Sequence, residues 1–132
     1  MATLVPKRDF AAMMWKSIRL ELARTDEFPR GSPSRSYLLR LPLSDDGAID
    51  EVELRQQPRH ATVRRFWPSQ PDLVGYVVRS PRGWEIAYDF ERPDAALGRI
   101  DGDALRLGEC VTLAEPNGRR LPFRVASVEA LN

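Results

Sequence analysis

Leu73–Phe90, LVGYVVRSPRGWEIAYDF, is the stretch that decides the fold, because it reads as a β-hairpin. Ser80-Pro81-Arg82-Gly83 is a tight-turn sequence: proline presets φ at the second position, and Gly83 tolerates the positive φ that closes a short loop. A three-residue loop pairs Ser80 with Trp84. It then sets Val78 opposite Ile86, Tyr76 opposite Tyr88 and Val74 opposite Phe90, all on one face. Arg79 meets Glu85 on the other face as an opposite-charge pair.

Other segments follow the same pattern. Lys16–Arg24 alternates, with Ile18, Leu20 and Leu22 on one face. Residues 25–36, rich in proline and hydroxyl side chains, read as a loop. Ser36–Leu43 follows as a strand with Tyr37, Leu39, Leu41 and Leu43 facing one way, and Pro42 marks its end as a sheet edge. Ile49–Leu54 reads as a short acidic strand. Arg59–Trp67 is a further strand, ended by Pro68 and Pro71. Pro93 to Gly98 has the start and stop of a short helical turn. Glu115-Pro116-Asn117-Gly118 repeats the earlier turn pattern. It sets Glu115 opposite Arg119, Leu113 opposite Leu121 and Val111 opposite Phe123. The expectation is an all-β domain, a small antiparallel barrel or sandwich of about seven strands with at most one or two short helices. Residues 1–132 form one domain, with residues 1–15 a flexible arm or short helix.

Composition limits function. Hydrophobic residues make up 42% and charged residues 30%, enough for a folded core, and the net charge of +1 supplies no bulk field for DNA or an anionic membrane. Lys7 and Lys16 are the only lysines, so arginine serves as the ordinary surface cation. Cys110 and His60 are the only residues of their kinds, which rules out an intramolecular disulfide and a cysteine-based zinc cluster within one chain. No stretch approaches the ~20 apolar residues of a membrane span, and no secretory leader pattern opens the chain, so a cytoplasmic location is expected.

No linear motif ties the chain to a reaction. Cys110 reads as a structural thiol and His60 as a strand residue near an edge. Asp101-Gly102-Asp103 lacks the further ligands of a calcium loop, and no phosphate-cradling glycine pattern occurs. No catalytic residue, metal site or cofactor is assigned. Arg59, Arg64, Arg65, Phe66 and Trp67 mix basic and aromatic side chains. Alternation divides them, with His60, Thr62, Arg64 and Phe66 on one face and Ala61, Val63, Arg65 and Trp67 on the other. Nucleic-acid binding is therefore not expected.

The expected function is a non-enzymatic binding or protein-interaction module for an unknown protein or small molecule. A homo-oligomer formed through a strand edge is compatible with this. One alternative is a small-molecule-binding barrel with an aromatic-lined cavity, in which Tyr76, Tyr88, Trp84, Arg64 and Trp67 contact the ligand. Another is an enzyme whose carboxylate or Arg/Tyr site is dispersed along the chain.

Overall fold

The computed structural model describes residues 15–88, 96–102 and 104–131, and its eight strands close into an antiparallel up-and-down barrel. They are β1 (Trp15–Leu22), β2 (Ser32–Pro42), β3 (Thr62–Trp67), β4 (Gln70–Ser80), β5 (Gly83–Ala87), β6 (Ala96–Asp101), β7 (Cys110–Ala114) and β8 (Arg120–Ala130). Each strand pairs with its neighbours in sequence, and β1 pairs with β8 to close the ring. Closure leaves every strand flanked by two partners, which removes the free edge that strand-edge association needs. No helix among the described residues is long and apolar enough to cross a membrane.

Period-two alternation fills the interior. Ile18 and Leu20 of β1, Leu39 and Leu41 of β2, Val77 of β4, Leu113 of β7, and Phe123 and Val125 of β8 have no exposed surface. A barrel of eight strands is just wide enough for such side chains to fill. A small pocket of about 10 Å³ beside Tyr37, Val63 and Gly75, open toward the surface at Val74, has room for about one water.

The β7–β8 hairpin has the expected register, with Val111 opposite Phe123 and Leu113 opposite Leu121. The β4–β5 hairpin does not. Its loop is two residues, Pro81 and Arg82, so Ser80 pairs with Gly83, Val78 with Glu85, Val77 with Ile86 and Tyr76 with Ala87. This one-residue slip turns β4 over relative to β5. Val77 and Ile86 face the core, while Val74 is exposed and Tyr76 half-buried. Arg79 lies opposite Trp84, stacks on its ring and pairs with Glu51 instead of Glu85. Gly83, with φ of 121°, lies at the first position of β5 and not inside the loop, and the register is the one that lets β5 pair with β6 in the closed ring.

Four further expectations change. β2 starts at Ser32, so the expected loop over residues 25–36 is shorter. The Ile49–Leu54 segment is no strand: Glu51–Gln56 forms a helix, α1. The Asp50 carboxylate caps it by accepting from the Glu53 amide at 2.9 Å. His60 closes a 3₁₀ turn, Pro58–His60, ahead of β3. Gly98 lies inside β6 and does not stop a helix; a Cβ there would sit 2.3 Å from the Ala114 carbonyl oxygen, so the residue marks a close backbone approach. Residues 1–14 and the start of the expected helical turn at Pro93 lie outside the described residues.

Candidate functional site

Three of the connections described gather at one end of the barrel: β1–β2, β3–β4 and β7–β8. Between them lies an open cavity of about 210 Å³. It is lined by Thr25, Glu27 and Phe28, by Arg35, by Arg65, Trp67 and Gln70, and by Glu115, Asn117 and Arg119.

Local chemistry builds each wall. In the β1–β2 connection the Phe28 amide donates to Thr25 Oγ1 at 2.9 Å, and the Gly31 amide donates to the Phe28 carbonyl at 2.9 Å. Gly31 has φ of 74°, and a Cβ there would meet the Leu22 carbonyl oxygen at 2.6 Å. These contacts fix Phe28 at the rim. The β3–β4 turn is Pro68-Ser69, with Trp67 opposite Gln70. Ser69 has φ of 64° and is the only non-glycine with positive φ among the described residues. Proline followed by a left-handed residue matches a type II turn, but serine holds that conformation at a cost of order 1–3 kcal/mol.

Below the rim lies a buried polar network. Alternation along β3 points Arg65 inward with Ala61 and Val63, and its side chain is 8% exposed. Arg65 Nε and Nη2 donate to Glu115 Oε1 at 3.1 and 2.6 Å, and Nη1 donates to Gln70 Oε1 at 3.1 Å. The Tyr37 hydroxyl donates to the other Glu115 oxygen. Burial first, and then the Glu115 carboxylate, push the Tyr37 phenol well above the ordinary tyrosine range, against the opposing effect of Arg65. Glu115 and Arg119 keep the expected backbone pairing, but the Glu115 side chain turns inward to Arg65.

Arginines and aromatic rings alternate across the cavity. The Arg35 guanidinium lies 4.1 Å from the Phe28 ring centroid and 5.8 Å from that of Trp67; the Arg65 guanidinium lies 3.9 Å from Trp67. Trp67 and Tyr37 rest on the fully buried Phe123, at centroid separations of 6.4 and 5.2 Å. The floor of the mouth is therefore continuous with the core.

No protein-family model matches this chain, and no curated protein or solved structure matches it. The site stands on its own geometry.

Of the five residues expected to contact ligand, Trp67 alone lines this mouth. Trp84 lines a broader groove of about 370 Å³ at the opposite end, with Arg79, Arg82, Glu51 and Asp101. The charges there are largely paired inside the protein: Arg79 with Glu51, and Arg99 and Arg120 with Asp101. Tyr76 is half-buried on the outward face of β4, Tyr88 is exposed, and Arg64 points outward beside Asp72 at 3.9 Å. His60 packs its ring edge-on against Trp15, and Cys110 is a free, exposed thiol. Sequence reading missed Phe28, Arg35, Tyr37, Gln70 and Glu115 as site residues. One signal was available: Arg65 shares the inward face of β3 with Ala61 and Val63, and a charge on an apolar face needs a buried partner.

Proposed function

We propose that the protein is a non-enzymatic binding module whose ligand enters the polar mouth between the β1–β2, β3–β4 and β7–β8 connections. The observation that carries this reading is the buried Arg65–Glu115–Tyr37 network lying directly beneath an open, aromatic-walled cavity. Burying an ion pair costs several kcal/mol in desolvation per ion, and an apolar filling of similar volume is often as stable. Retaining charge at that place is easier to understand if it positions a site. The strained Ser69 on the same rim supports this, since unfavourable backbone conformations cluster where ligands bind. Binding is favoured over proton transfer because Glu115 already accepts from Arg65 and from Tyr37, so neither the acid nor the phenol is available as a general base. The free Cys110 suits a reducing compartment such as the cytoplasm.

A fragment screen followed by heteronuclear NMR tests the assignment. Binders are expected to shift the Trp67 indole N–H and the Gln70 side-chain amide. Binders that shift only Trp84 and Arg79 would move the site to the opposite end and defeat this reading. A second reading, a protein-interaction module, has support from four exposed apolar side chains, Val52, Val74, Tyr88 and Leu107. They are distributed over α1, β4, the end of β5 and the β6–β7 connection, and exposed apolar residues set singly are ordinary.

A further inference from the structure

We propose that the mouth takes an oxyanion, a carboxylate or phosphate monoester carried on a small body, with Arg35 as its principal contact. This rests on the mouth being the binding site and adds the chemistry of what it holds.

Arg35 is held in place with donors to spare. Its guanidinium stands between the Phe28 and Trp67 rings, and Nη1 donates to Ser32 Oγ at 3.1 Å. No carboxylate among the described residues lies within ion-pair distance of it, although many arginines of the chain have such a partner. Nε and Nη2 are left with no hydrogen bond to a described residue. A held, planar, charged fork with open donors matches a carboxylate or phosphate in two-point contact.

The neutral polar side chains of the lining offer donors. Thr25 Oγ1 accepts from the Phe28 amide, Gln70 Oε1 accepts from Arg65, and Asn117 Oδ1 accepts from the Arg119 amide. In each case one acceptor site is engaged by the protein, while the donors, one hydroxyl and two amide NH₂ groups, stay available to a ligand. An ionised oxyanion, which only accepts, is the complement.

Charge and size narrow the ligand further. The charged residues of the lining are Arg35, Arg65, Arg119, Glu27 and Glu115. Arg65 and Glu115 neutralise each other, and Glu27 opposes one of the remaining arginines, so a single positive charge is left over. A volume of about 210 Å³ falls below the roughly 300–1,000 Å³ of drug-sized ligand sites. One anionic group on a small body fits both limits.

Calorimetry and NMR on the full chain test this with inorganic phosphate, phenyl phosphate, benzoate and the uncharged benzyl alcohol. At least one of the three anions is expected to bind with shifts at Trp67 and Gln70, about tenfold or more tighter than benzyl alcohol. The tighter of benzoate and phenyl phosphate identifies the oxyanion. Added salt is expected to weaken the binding. Arg35→Gln is expected to lower affinity about tenfold. Arg119→Gln, on an exposed turn, is expected to lower it as well and serves if the first variant does not fold. Arg120→Gln, whose partner Asp101 lies outside the mouth, is expected to bind like wild type. If benzyl alcohol shifts Trp67 as strongly as the anions, or both mouth variants bind as wild type does, the oxyanion assignment fails while the mouth remains the site. If none of the four probes shifts mouth signals, the mouth itself is overturned.

Discussion

Arg65 is placed by strand parity, and its neighbours settle what that placement costs. With Glu115 removed, a guanidinium stays buried and unpaired; with Arg65 removed, a carboxylate does. Either Arg65→Met or Glu115→Leu is therefore expected to destabilise the barrel by about 3–5 kcal/mol. The double variant is expected to recover much of that loss, because two apolar side chains of similar volume replace the pair. Urea unfolding of all three variants measures the coupling, and additive losses would show that the network is not a unit. Tyr37 carries the pH dependence. Its folded pKa lies above its ordinary value of 10.0, so the native state keeps its proton where the unfolded chain gives it up. Its contribution is fully present below pH 10 and falls as pH rises above it, at up to about 1.4 kcal/mol per pH unit. Tyr37→Phe is expected to flatten that alkaline decline. A variant that declines as steeply as wild type would assign the effect to another group. The inward face of β3 was legible in the alternation of Ala61, Val63, Arg65 and Trp67, but the partner of Arg65 was not. Glu115 lies fifty positions away in a turn whose local chemistry already explains a glutamate beside an arginine.

At the scale of elements, what the sequence resolved depended on whether a segment's signals were local and unambiguous. The β7–β8 hairpin was readable because its turn and its alternation specify the same pairs. The β4–β5 hairpin carries equally strong signals, but Ser-Pro-Arg-Gly closes by two routes that differ by one residue, and only the surrounding barrel chooses between them. α1 was misread because Val52 and Leu54 satisfy a strand pattern over so few residues; the Asp50–Glu53 spacing that caps it was the better signal. β6 was hidden by Gly98, whose function is to let the β7 backbone approach. Gly83→Val puts a β-branched side chain at φ of 121°, at a cost of about 1–3 kcal/mol even though the space around it is open. Arg82→Ala is an exposed change expected to stay within about 0.5 kcal/mol. Equal shifts in thermal midpoint for the two would contradict the positive φ at Gly83.

For the whole molecule, fold class was legible and closure was not. Barrel and sandwich share the same strand lengths and turns; what separates them is the β1–β8 pairing, which joins the two ends of the strand order and has no local signature. Closure also placed the mouth, since it brings Phe28, Trp67 and Glu115 from three distant connections to one rim. The pairing has a further consequence. The Leu131 amide donates to the Trp15 carbonyl at 3.0 Å, so the outer ends of β8 and β1 lie side by side, at the end of the barrel away from the mouth. The Pro81–Arg82 turn lies at that same end. A circular permutant that keeps all residues, joins Asn132 to Met1 with a linker and opens the chain between Pro81 and Arg82 keeps every described strand beside its present neighbours. It is expected to fold and to give the same Trp67 response to ligand as the parent chain. A folded permutant with an altered Trp67 signal would mean that the mouth depends on chain connectivity at the far end, not only on the closed ring of strands.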